Sequence, residues 1–194
     1  MDIPAKIFKS YDIRGIYPNE INEENIVPIT KAIYKFILAQ TPGKQSLTVV
    51  VGRDMRLSSP VIFKSLTTTL VELGAQVVDI GLVSTPTFYF AVFNGKYDSG
   101  IQITASHNPK QYNGLKIVRY SPQGLIKIGK STGMEEIKKT AIEGIRIDSK
   151  PGGVINKREG VVVEEVKNAL IIADNPKIKP LKIVADTANN ISSI

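Results

Sequence analysis

Short, β-branched apolar runs alternate along this chain with longer amphipathic stretches, and that alternation constrains the fold more than any other feature. A run of four to eight apolar residues has the length of a strand buried on both faces. A stretch with apolar residues every three or four positions has one helical face to give to a core. The two in succession make β-α units, so the chain is expected to be α/β, with a mixed, mostly parallel sheet sandwiched between helices.

Residues 7–11 read as the first strand. Asn22-Glu23-Glu24 then opens a helix that carries Ile26, Ile29, Ile33 and Phe36/Ile37 on one face, in which Pro28 must fall early or make a kink. Residues 47–51 have the brevity of a buried strand. The helix after them starts near Ser58-Ser59-Pro60, takes Leu66, Leu70 and Leu73 as its core stripe and stops at Gly74. Further strands are expected over 76–80, 100–104 and 114–119, the last extended by 125–128, with a short apolar helix at 86–93. Ser131 or Thr132 is placed to cap a helix running to about residue 141, with Glu135 or Glu136 completing a capping box.

After that helix the texture changes. Residues 147–157 are rich in glycine, proline and lysine without a period, which is the composition of a linker. The expected organisation is therefore one domain over 1–146, a linker over 147–157, and the start of a second α/β unit over 158–194, with a helix at 160–173 and a strand at 181–185. That last helix and strand have too little chain around them to bury both faces, so the sequence is expected to stop inside a second domain.

The charge says little about partners. Twenty-five lysines and arginines against 18 acidic residues give +7, but carboxylates interrupt the lysines, as in Glu135-Glu136-Ile137-Lys138-Lys139, and no aromatic residues interleave with a basic cluster. No nucleic-acid partner is expected. No uncharged run approaches the ~20 residues that cross a bilayer, so no membrane partner is expected either. With no cysteine there is neither a disulfide nor a thiolate metal site, which favours an intracellular setting, and because the amino terminus leads into no long apolar stretch the setting read is cytoplasmic. Asn190-Ile191-Ser192 matches a glycosylation sequon, which means nothing without a secretion signal.

The most informative stretch is Thr104-Ala105-Ser106-His107-Asn108-Pro109, just beyond a predicted buried strand, at the sheet edge where α/β proteins bind ligands. Small residues and Pro109 favour a tight turn, and Asn108 satisfies turn amides while tolerating unusual dihedrals. Such a loop presents the Ser106 hydroxyl outward. Its plain alternative is a strand-ending turn in which Ser106 and Asn108 only bond the backbone. Lys116 lies ten positions on, beyond the Tyr112-Asn113-Gly114 turn, and Tyr11, Arg14, Arg53 and Arg56 lie beside other strand ends. In a parallel sheet those ends share one rim, where cations gathered near Ser106 would hold phosphate oxygens.

Phe8-Lys9-Ser10-Tyr11-Asp12-Ile13-Arg14-Gly15, then Gly52-Arg53-Asp54-Met55-Arg56-Leu57-Ser58-Ser59, then 104–109, then Asn113-Gly114-Leu115-Lys116, resemble in order and spacing the α-D-phosphohexomutases, particularly the phosphomannomutase/phosphoglucomutases. The resemblance implies a domain I-like three-layer α/β/α fold. It also implies that Ser106 is the residue phosphorylated in the resting enzyme, with its phosphate a ligand of Mg²⁺. His107, Arg14 and Lys116 would then lie near the transferred group, Arg14 and Lys116 assisting proton movement, and Tyr11, Arg53, Asn108 and Asn113 would contact substrate. In the implied reaction the phosphoserine donates to a hexose 1- or 6-phosphate, and the hexose bisphosphate returns its other phosphate to the serine.

The family's aspartate-rich metal loop, its sugar-reading loop and its second phosphate-binding loop do not occur in this sequence. Lys182-Ile183-Val184-Ala185-Asp186-Thr187-Ala188-Asn189-Asn190 resembles the start of the family's second domain, with Asn190 where a glycine is usual. The chain is thus expected to be inactive alone, or to be completed by the remaining domains as a separate chain. A non-catalytic phosphosugar-binding or docking module is the alternative. Two further readings are weaker. Gly124-Leu125-Ile126-Lys127-Ile128-Gly129-Lys130-Ser131 fits a P-loop expression, but its middle alternates like a strand. A serine hydrolase would need His107, the sole histidine, as base for its own neighbour, and adjacent side chains are expected to diverge.

Overall fold

In the computed structural model, which describes residues 3–186, seven strands form one mixed sheet in the order β1-β5-β4-β2-β3-β7, with β6 pairing β5. The strands are β1 (Ile13–Ile16), β2 (Thr48–Arg53), β3 (Gln76–Leu82), β4 (Ser99–Ile103), β5 (Tyr112–Ser121), β6 (Gly124–Lys127) and β7 (Val154–Lys157). The helices are α1 (Glu23–Ala39), α2 (Ser59–Glu72), α3 (Thr85–Asn94), α4 (Met134–Glu143) and α5 (Val161–Ile172). β4, β2, β3 and β7 run parallel. β5 is antiparallel to β1, β4 and β6: residues 104–111 return the chain beside β4 without a helix, and residues 112–127 form the hairpin that adds β6.

The pleat sorts side chains to two faces. Val49, Val51, Val77, Ile101, Ile103, Leu115 and Ile117 point into a core shared with α1, α2 and α4, where Ile26, Ile29, Ile33, Leu66, Leu70 and Ile137 are buried. Val50, Ile80 and Val118 face the other way, toward Phe88, Ala91 and Val92 of α3 and Val161 of α5. This is the helix-sheet-helix layering expected, and Leu66, Leu70 and Leu73 form the buried stripe.

Local signals explain most element ends. Asn22 caps α1 by accepting from the amides of Glu24 and Asn25, and Asn25 returns the bond to the Asn22 amide. Pro28 lies inside α1, in its second turn. Gly74, at φ +83°, takes the left-handed turn that stops α2.

Several expectations are corrected. Residues 7–11 are not a strand: Ala5–Ile7 is a 3-10 turn, Phe8 makes a single bridge to Ile13, and the strand begins at Ile13. Neither Ser131 nor Thr132 caps α4. Its cap position is Gly133 with no side-chain bond, while the Thr132 hydroxyl donates back to the Lys127 carbonyl. The end of the stretch read as linker forms β7, parallel to β3, because the Lys150 amide bonds the Glu72 carbonyl and the Val154 amide bonds the Ala75 carbonyl, steering the chain onto the sheet edge. The expected strand at 181–185 is absent, as residues 175–186 carry no helix or strand. The rest of the second-domain motif and the sequon lie outside the described residues.

Candidate active site

The parallel strands all end on one rim. β2 finishes at Arg53, β3 at Leu82, β4 at Ile103 and β7 at Lys157, and the serine loop follows β4. The Thr104 amide still bonds Gly114, after which the chain leaves the ladder. The Ser106 amide donates to the Thr104 hydroxyl at 2.9 Å, and the Asn108 amide closes a turn on the Ala105 carbonyl at 3.1 Å. Ser106 sits at φ +56°, in the left-handed region that costs a β-carbon-bearing residue about 1–2 kcal/mol, and it is exposed at the crest of the loop.

Arg56 holds that conformation. Its Nη1 donates to the carbonyls of Pro109 (2.8 Å) and Tyr112 (2.9 Å), and its Nη2 to those of Ser106 (2.9 Å) and Asn108 (2.7 Å). Its Nε donates to Asp54 at 3.1 Å, and Asp54 is steadied by the Ser59 hydroxyl at 2.8 Å. All five guanidinium donors are engaged. Arg56, expected as one of the cations that hold phosphate, is instead a clamp beneath the loop.

From the antiparallel half of the sheet one cation, Arg14, reaches the loop, and a second, Lys116, is joined to it through Asp12. Arg14 lies on β1 opposite Gly114, and Lys116 lies on β5 opposite Gln102. Any side chain at 114 would put its Cβ 2.0 Å from the Ile13 carbonyl oxygen, so glycine is what lets β1 come this close. Arg14 Nη1 donates to Asn108 Oδ1 at 2.6 Å, and Nη2 is paired with Asp12 Oδ2. The same carboxylate oxygen takes the Lys116 ammonium at 3.3 Å. Asp12 and Tyr89 are the neighbours that sequence reasoning missed. Burial first, and then the charge of Asp12, push the Tyr89 hydroxyl above its usual pKa. Asp12 was legible in one respect: two positions before Arg14, it shares a face with it.

The remaining predicted residues divide. Tyr11 is 78% exposed on the turn before β1 and is open to a ligand. His107 meets its neighbour after all: the Ser106 hydroxyl is 3.4 Å from His107 Nδ1, because the left-handed residue at 106 turns the two side chains together. Among the described residues the imidazole has no second hydrogen-bond partner. Asn113 is wholly buried, donates to the Ser58 and Ser59 hydroxyls at 2.8 and 3.1 Å and accepts from Gly114, so it braces the loop to the start of α2. Arg53 turns to Asp79 at 3.1 Å, with its guanidinium 4.3 Å from the Phe63 ring centre. Together with Asp79, Lys157, Arg158 and the first turn of α5 it lines a 360 Å³ cleft along the rim. Gly124–Lys127 is β6, in the place a phosphate loop would need to be compact.

A divalent cation finds little here. Among the described residues no three acidic or imidazole side chains cluster; Asp12 is spent on Arg14 and Lys116, and Asp54 on Arg56. These residues do not by themselves fit Mg²⁺, which prefers several oxygen ligands. No helix among the described residues is long and apolar enough to cross a membrane.

A family model described as phosphoglucomutase/phosphomannomutase, alpha/beta/alpha domain I, matches residues 5–145. A phosphomannomutase of Vibrio cholerae is 36% identical over 182 residues, which are 94% of this chain and 38% of that protein. A phosphomannomutase of Klebsiella pneumoniae is 42% identical over 136 residues, 70% of this chain and 80% of its own length. The crystal structure of a phosphoglucomutase/phosphomannomutase family protein from Burkholderia thailandensis superposes with a TM-score of 0.68 at 31% identity, over 87% of this chain and 36% of that one. The chain thus spans well under half the length of the Vibrio and Burkholderia proteins.

Proposed function

The chain belongs to the phosphoglucomutase/phosphomannomutase family, and on that premise we propose that Ser106 is the phosphoryl-carrying serine of a hexose-phosphate mutase. The observation that supports this reading is the loop itself: an exposed hydroxyl, clamped from below by Arg56 and joined at its side, through Asn108, to Arg14. Rigid presentation of a nucleophile beside fixed cations is what phosphoryl transfer asks of a protein, since the step is mostly alignment and charge stabilisation.

In the proposed cycle a hexose 1,6-bisphosphate charges the serine. The Ser106 oxygen bonds to phosphorus as the bond from phosphorus to the sugar oxygen breaks. The Ser106 proton passes to His107 Nδ1, whose lone pair is 3.4 Å away in the matching tautomer, and the released sugar oxygen takes a proton from the Lys116 ammonium. Running in reverse on a hexose 1- or 6-phosphate, phosphoserine gives up its phosphoryl group and forms the bisphosphate, so the net result is isomerisation. Arg14 and Lys116 supply positive charge beside the transferred group and assist proton movement, and the exposed Tyr11 contacts the substrate. Mg²⁺, for which the described residues offer no carboxylate cluster, takes no part in these steps. Sugar choice and full turnover then require groups beyond those of this chain, for instance the further length of the relatives supplied as a second polypeptide. The setting that goes with this reading is cytoplasmic, as the absence of cysteine favours.

Incubation of the purified chain with glucose 1,6-bisphosphate, followed by intact-mass measurement and peptide mapping, tests the proposal. One added phosphate at Ser106, abolished in Ser106→Ala, is expected. No uptake, or uptake that persists in Ser106→Ala, overturns it.

A further inference from the structure

Arg14, which touches the serine loop, and Lys116, which is joined to it through Asp12, are tied to the protein unequally. Arg14 is held from both sides, with Nη1 on Asn108 at 2.6 Å and Nη2 on Asp12. Lys116 has a single bond, 3.3 Å long, to that same Asp12 oxygen. Asp12 is itself buried, with 8% of its side chain exposed; its carboxylate is paired with Arg14 and Lys116, its charge is felt at the Tyr89 hydroxyl, and its carbonyl takes the Lys9 amide at 2.8 Å.

We propose that Asp12 is a positioning residue that gives Arg14 and Lys116 different tasks: it fixes Arg14 against the serine loop and holds Lys116 in reserve, to be released onto an incoming phosphoryl group. This rests on the reading of Ser106 as a phosphoryl carrier. The physical reason is competition. A phosphate dianion near the loop attracts both cations, but Arg14 would have to surrender two bonds and the loop geometry with them, whereas Lys116 gives up one long contact and has a flexible stem. Asp12 also cancels one of the two positive charges while the site is empty, and leaves that charge to the phosphate when Lys116 departs.

The sign of the test follows. Asp12→Asn leaves the site more positive by one charge, so anions bind at least as tightly, while the geometry that times the transfer is lost. The expected result in the glucose 1,6-bisphosphate reaction is a rate of Ser106 phosphorylation lower by on the order of 10–100-fold, the usual cost of losing a group that orients a reacting one, with the half-saturating bisphosphate concentration unchanged or lower. Asp12→Glu, which keeps the carboxylate and provides a folded comparison should the asparagine variant be unstable, restores part of the rate. A rate and an affinity that fall together, or no rescue by glutamate, would reduce Asp12 to a structural support and overturn the proposal. A second measurement separates this from the function itself. Titrating wild-type chain with inorganic phosphate and following side-chain nitrogen resonances is expected to move the Lys116 ammonium while the Arg14 guanidinium stays. If the wild type takes no phosphoryl group yet Lys116 moves alone, the carrier reading fails and the division of tasks stands. If Arg14 moves first, or neither moves, the division of tasks is wrong.

Discussion

Replacing Arg56 tests the clamp most directly. Of its four carbonyl bonds, those to Tyr112 and Asn108 are partly buried and those to Pro109 and Ser106 are exposed. Water replaces the exposed pair at little net cost, so only the partly buried pair is counted, at about 1.5 kcal/mol each for a charged donor. Arg56→Ala should therefore loosen the loop by about 3 kcal/mol. Arg56→Lys, whose single nitrogen can serve one of the two carbonyls, should loosen it by about 1.5 kcal/mol. The amides that report on the loop are those of Asn108, bonded to Ala105, and Tyr112, bonded to Pro109. Native-state hydrogen exchange at both should accelerate about 100-fold in Arg56→Ala and about 10-fold in Arg56→Lys, at 1.4 kcal/mol per factor of ten. Amides of β7 should be unaffected. With the clamp gone, Ser106 is free to leave φ +56°, so phosphorylation of Ser106 by bisphosphate should slow in the same order. Exchange at Asn108 and Tyr112 that stays within about threefold of wild type in Arg56→Ala would refute the clamp.

Three other outcomes are expected. Asn113→Ala should lower unfolding stability by about 2–3 kcal/mol in urea melts, because the Ser58 and Ser59 hydroxyls lose a buried partner; a variant as stable as wild type that binds bisphosphate more weakly would return Asn113 to the substrate-contact role. Tyr11→Ala, which removes a side chain 78% exposed, should change stability by no more than about 0.5 kcal/mol while raising the half-saturating bisphosphate concentration. Glu20 accepts from Lys6 and from the Ile16 amide, which hold its carboxyl below its ordinary 4.5. Its stabilising contribution is therefore present above that value and fades as pH falls below it. Glu20→Gln should flatten the acid side of the thermal-midpoint profile and leave its neutral region parallel to wild type.

Much of this protein is determined by local sequence. Apolar runs at strand length and leucines at helical spacing place β2, β3, β4 and α2 because burial demands those periods, and Asn22 and Gly74 punctuate helices through bonds to their own neighbours. The serine loop was equally legible, since small residues and Asn-Pro specify a turn wherever they occur. What tertiary structure decided were pairings between distant segments. Whether Arg56 meets phosphate or four carbonyls, whether Asn113 faces a ligand or two buried hydroxyls, and whether residues 154–157 link or pair depends on what lies across a gap that no local rule measures. The meeting of Ser106 with His107 is the mixed case. The residues are adjacent in the chain, yet only a backbone angle enforced from Arg56, 50 positions away, turns one toward the other.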